Sequence, residues 1–152
     1  MKVFMVFLGL FIINISFLTY QTDMDRYVKG QVFLKALAEE CAAGAALYYD
    51  AEEYSHGRLV FNYEEGEKYI KYIIDSTRSK SPFLQLGKLS YQTEFQDDDL
   101  GYKDGEGHNL SYEKGVPSLT VTLTYDIPDM FRLPFIEVTQ ITRMSRYELP
   151  EV

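Results

Sequence analysis

The residues of this chain able to do chemistry are few, and their spacing argues against most of what they could do. His56 and His108 are far apart and lack a companion cysteine or one-turn helical spacing, so they do not form a zinc site; both are expected to be solvated surface histidines. The acidic stretch Asp97-Asp-Asp-Leu-Gly-Tyr-Lys-Asp-Gly-Glu106 has the composition of a calcium loop. Such a loop needs alternating oxygen ligands around an invariant glycine and a closing glutamate, and no register from Asp97 or Asp99 supplies them, so a solvated loop is expected. Gly105 and Gly107 have no strand before them and no helix after them, which a phosphate cradle requires. Cys41 has no histidine nearby in sequence to activate it, and Glu39 and Glu40 beside it are expected to be solvated helix charges. No catalytic residue, cofactor or metal site is expected, and the chain is not expected to be an enzyme.

What remains informative is the elements themselves. From Val3 to Tyr20 the chain reads VFMVFLGLFIINISFLTY, with no charged side chain. As a helix this run is roughly 27 Å long, close to the roughly 30 Å of a bilayer's hydrocarbon core. Only Asn14 and Ser16 are strongly polar within it. A retained anchor over residues 1–22, contacting lipid through residues 3–20, is favoured over a cleaved signal, because the run is long and no small-x-small site follows it. The cleaved signal stays open as the alternative, and a buried core helix is a third. Lys2 and the α-amino group precede the run, against the mixed flank Asp23, Asp25, Arg26 and Lys29, which puts the N-terminus in the cytoplasm. The expected location is therefore a cell membrane, single-pass, with the C-terminal domain extracytoplasmic.

The remaining stretch, residues 23–152, is the size of one domain. A net charge of −8 excludes nucleic acid as a partner, since its phosphates call for lysine and arginine. No basic run is present that would hold anionic lipid. A single cysteine excludes an internal disulfide and leaves Cys41 as a packing residue or an intermolecular partner, and its alanine and glycine neighbours favour packing. Apolar or small side chains recur at Met24, Tyr27, Leu34, Ala38, Cys41, Ala45 and Tyr48, broken at Gln31, in steps of three and four. This predicts a stem helix over residues 23–50, continuous with the anchor, in a rod roughly 70 Å long. Ala42 to Ala46 would let a sheet approach closely, although alanine's helix propensity alone also accounts for that cluster.

The sheet domain is expected over residues 51–150. Arg58–Tyr63 is predicted as a short strand, Glu64–Arg78 as a helix with Tyr69, Ile70, Ile73 and Ile74 on one face, and Ser79–Pro82 as its break. Leu86–Phe95 is predicted as a strand with Leu89, Tyr91, Thr93 and Phe95 on one side. Asp97–Gly115 reads as a polar loop. Leu119–Tyr125 is the clearest strand, with Leu119, Val121, Leu123 and Tyr125 facing inward, and Phe135–Tyr147 supplies the last. The class is α+β: a long N-terminal helix on a small antiparallel sheet.

An apolar helix that runs into an amphipathic, alanine-rich stem and ends on an antiparallel sheet resembles the pilin layout. The stem Leu37-Ala-Glu-Glu-Cys-Ala-Ala-Gly-Ala-Ala46 resembles the helix of TadE-like proteins, pilin-like minor components of tight-adherence pilus systems. The tail is similar too: the Leu119–Tyr125 strand, a proline-bounded break, Leu133-Pro-Phe135 and a closing strand. The chain departs from prepilins at their leader. Gly9 follows an apolar stretch, and the fifth residue beyond it is Asn14 where those proteins carry glutamate, which implies an unprocessed subunit. The resemblance implies a structural or assembly role, with other pilin-like subunits or pilus or secretion platform proteins as partners. Helix packing would then involve Gly9, Asn14 and Ser16 in the membrane and Ala38, Cys41, Ala42, Gly44 and Ala45 in the stem. Bulky replacements at Ala42 or Gly44 would then block association and leave the sheet folded. The rival class is an anchored module that binds a peptide, glycan or protein through Tyr91, Tyr102, Tyr112 and Tyr125.

A retained anchor has a direct signature: protein recovered from membranes should begin at or near Met1. An N-terminus mapped between Thr19 and Arg26 would identify a cleaved signal instead.

Overall fold

A single helix, α1 (Lys2–Ala45), runs unbroken through both halves of the N-terminal region. Its 44 residues make it about 66 Å long. The computed structural model describes residues 2–103, 115–128, 130–133 and 136–149. After α1 come a one-turn helix α2 (Ala51–Ser55), the longer α3 (Tyr63–Lys80), a one-turn α4 (Pro82–Gln85), and three strands, β1 (Lys88–Gln96), β2 (Ser118–Asp126) and β3 (Gln140–Glu148). The strands form one antiparallel sheet in the order β1-β2-β3. The α+β class expected from the sequence, a long N-terminal helix on a small antiparallel sheet, is the observed architecture.

Periodicity places the core. On β2 the alternate residues Leu119, Val121, Leu123 and Tyr125 are fully buried, while Thr120, Thr122 and Thr124 face the other side. On α1 the stripe Leu34, Leu37, Ala38, Cys41, Ala42 and Ala45 is buried against the domain. α3 adds Ile70 and Ile74, with Tyr69 and Ile73 half-buried beside them. Asn62 caps α3 by accepting a hydrogen bond from the Glu65 amide. Glu64 and Glu65 stand in its first turn and Arg78 and Lys80 in its last, each with the sign the helix dipole favours.

Close approach explains two glycines on α1. A Cβ on Gly30 would lie 2.8 Å from Phe83 Cζ and 3.3 Å from Ile141 Cδ1, so glycine is what lets α4 and β3 reach the stem. A Cβ on Gly44 would run into the Tyr69 ring. It is therefore α3, through Tyr69 and Gly66, that lies over the glycine-alanine end of the stem; the sheet crosses lower, where Ile141 meets Gly30 and Lys35 donates to the Met144 carbonyl at 2.9 Å.

Several boundaries differ from expectation, for local reasons. The stem helix ends at Ala45 rather than residue 50, because Asp50 opens α2 by accepting from the amides of Glu52 and Glu53. Arg58–Tyr63 is not a strand. Only Phe61 bridges to Tyr49, and the amides of Leu59 and Phe61 are taken by the carboxylates of Asp98 and Asp97. Asp97 is correspondingly buried rather than solvated: its two oxygens accept from the amides of Phe61, Asp99 and Leu100 and from the Tyr63 hydroxyl. The last strand starts at Gln140, later than the expected Phe135, which itself lies outside the described residues, as do Gly105, Gly107, His108 and Tyr112. His56 is exposed at the end of α2, with Nδ1 2.9 Å from the Glu52 carbonyl.

Ala42 has no exposed surface. Its neighbours are the chain's own core, so a bulky residue there attacks the fold, not an outer contact. Ala42→Leu should lower domain stability by about 1–3 kcal/mol through overpacking. A thermal unfolding midpoint unchanged from wild type would refute this placement.

Candidate functional site

The feature that calls for a partner is the first half of α1. It is the one helix among the described residues long and apolar enough to cross a membrane, and its apolar window is wholly uncovered by the rest of the chain. Val3, Phe7, Phe11, Ile13, Phe17 and Leu18 are each more than half exposed. So much contiguous apolar surface is stable only in a hydrocarbon phase or against other apolar chains. The hydroxyls at its end make no such demand, because Thr19 donates to the Ile15 carbonyl and Thr22 to the Leu18 carbonyl, each at 3.0 Å.

Directly beyond this segment the domain closes a collar on the helix. Asp23 is fully buried, and its Oδ2 accepts from the Arg132 backbone amide at 2.9 Å. Its Oδ1 accepts from Arg132 Nε at 2.9 Å and from the same guanidinium's terminal nitrogen at 2.8 Å. The guanidinium is half exposed, so the pair has one dry and one wet member. Phe131, next in the chain, lies between Tyr20 and Tyr27, with ring centroids 6.3 and 6.0 Å away. The segment following β2 is thus fastened to α1 by an aromatic contact and a charged one. Burial alone would raise the Asp23 carboxyl, but the Arg132 amide and guanidinium, assisted by Arg26, outweigh it and hold the carboxyl below its ordinary value.

Sequence reasoning counted Asp23 as a flanking charge and missed the collar. The available signal was spacing: Asp23 stands seven residues before Gly30 and fourteen before Leu37, on the line that the domain covers. Arg132, more than a hundred residues away, carries no such signal.

Of the residues singled out for packing, the structure separates two groups. Ala38, Cys41, Ala42 and Ala45 are buried in the chain's own core, and Gly44 sits under Tyr69. Burial first, and Glu40 second, push the Cys41 thiol up to about 12, which removes it as a nucleophile. Gly9 and Asn14 are exposed on the uncovered half, where nothing lies within 4 Å of a Cβ at Gly9, and Ser16 there is half-buried. The candidate binding tyrosines that are described are engaged internally: Tyr125 with the Phe83 carbonyl, Tyr102 with Asp98 at 2.8 Å and Tyr91 with Glu67 at 3.3 Å. Among the described residues no group of histidine, cysteine or carboxylate side chains is arranged to hold a metal ion. Comparison with family models, with curated proteins and with solved structures gave no match.

The collar has a pH signature. A depressed carboxyl stabilises the fold above its unfolded value, near 3.8, and that contribution is lost as pH falls through the lower folded value. Asp23→Asn in the full chain should cost about 1.5–3 kcal/mol at neutral pH, since a charge-assisted bond is lost. The gap between variant and wild type should shrink below about pH 4. Denaturant unfolding in detergent at several pH values checks both; no gap at neutral pH would show that the pair contributes nothing, and a gap that stays constant into acid would show that its charge does not.

Proposed function

We propose that this chain is a non-enzymatic, membrane-anchored structural or assembly subunit, pilin-like in layout. In this proposal residues 3–20 cross the membrane with the N-terminus cytoplasmic and the sheet domain outside. The observation that carries it is the continuity of α1: one helix exposes an apolar half and supplies the other half to the core of a three-stranded domain. A flexible tether is enough to hold a binding module or an enzyme at a membrane. A helix shared between anchor and core, and collared by Asp23 and Arg132 where the two meet, fixes the domain rigidly to whatever the anchor packs against. That rigidity is what a subunit of an ordered assembly needs, with other pilin-like subunits or platform proteins as its neighbours.

Breaking the continuity tests the proposal. A four-residue glycine-serine insertion between Gln21 and Thr22 should leave the sheet domain folded and the protein in the membrane. Large complexes containing it, seen by gentle solubilisation and native gels of the producing cells, should disappear. Complexes of unchanged size and amount would overturn the assembly role and leave an anchored binding module as the better account.

A further inference from the structure

The two sides of α1 have different fates, and Asn14 lies on the unused one. Asp23 follows Asn14 by about two and a half turns and Cys41 by about seven and a half, so both project on the opposite side, where the domain covers them. Val32 follows Asn14 by about five turns and so shares its line. Along that line Phe7, Phe11, Asn14, Leu18, Val28 and Val32 are all exposed, with Val28 at 48% and Val32 at 65%. Gln21 and Asp25 complete it between the apolar run and the stem, where water is available, and Asp25 already holds Lys29 at 2.7 Å. The steps of three and four are those of helices that pair at a shallow angle.

We infer that this outward face pairs with the same face of a second copy of the chain, Asn14 against Asn14. This rests on the membrane anchoring proposed above. In hydrocarbon an amide lacks the water that would satisfy it, and unlike the hydroxyls of Thr19 and Thr22 it makes no bond back to its own helix. An amide is donor and acceptor at once, so two identical ones at the same depth satisfy each other reciprocally. Copies inserted in one orientation are parallel and bring their Asn14 residues to that common depth. The domain stands on the far side of α1 and does not obstruct the approach, while Val28 and Val32 extend the contact outside the bilayer.

The test uses the full chain carrying Cys41→Ala, expressed in membranes, with one new cysteine at a time. Under mild oxidation Val32→Cys should give a disulfide-linked species of twice the monomer mass. Ser16→Cys, more than half a turn from Asn14, should give little. Adding Asn14→Leu to Val32→Cys should reduce the dimer about 3- to 30-fold, and Asn14→Gln should restore much of it. Carbonate extraction is run in parallel. Release of the chain from the membrane would overturn the anchoring and the pairing together. A membrane-retained chain overturns the pairing alone in any of three cases: no dimer from Val32→Cys, a stronger dimer from Ser16→Cys, or a dimer indifferent to Asn14→Leu. An adduct of some mass other than two copies would also overturn it, showing that the face belongs to a different protein.

Discussion

Everything in this molecule depends on one helix carrying two kinds of surface along its length. The hydrogen bonds of an α-helix are internal, so its backbone is indifferent to what surrounds it; from one kind of surface to the other only the side chains must change. α1 makes that change within a few residues. Up to Tyr20 it is apolar on all sides, and from Asp23 it is amphipathic, with one stripe given to the domain. The sheet, α3 and the collar are arranged around that stripe. Had the helix stopped at Tyr20, the domain would have lost Leu34, Leu37, Ala38, Cys41, Ala42 and Ala45, a substantial share of its core.

Two buried carboxylates hold the ends of the domain in different ways. Asp23, near the apolar segment, is matched with a full positive charge. Asp97, at the far end, is fully buried with no cation on it among the described residues and is satisfied by three amides and a phenol. Hydrogen bonds of that number to a buried carboxylate offset its desolvation much as a counter-charge does. In both places a short side chain gathers irregular backbone that no strand or helix satisfies: the segment after β2 in one case, the connection from α2 to α3 in the other.

The fold was legible where side-chain period and burial coincide. The alternation on β2, the stripe on the stem and the face of α3 are each set by one element burying one side, and the sequence pattern names the residues. It misled where a side chain, not a neighbouring strand, takes the backbone bonds. Arg58–Tyr63 has a strand's composition, but Asp97 and Asp98 occupy the amides a ladder would need. The apolar half of the candidate site was fully legible, since hydropathy depends on neighbours along the chain. The collar was not, because Arg132 meets Asp23 only once the sheet has brought the far end of the chain back to the helix. The small residues of the stem were recognised as packing positions, but composition could not tell an internal contact from an external one; the uncovered glycine at position 9 and the Tyr69-covered one at 44 look alike in sequence.

The continuity of α1 also makes it a lever. From Tyr20 to Ala45 the helix extends about 37 Å, with no proline and no break to absorb bending. If its apolar half lies in a bilayer, it takes whatever tilt the membrane's thickness imposes, commonly about 20°. A change of that size displaces the far end of the stem sideways by about 13 Å. Membrane thickness, a property of lipid composition, would then be read out as the orientation of the domain.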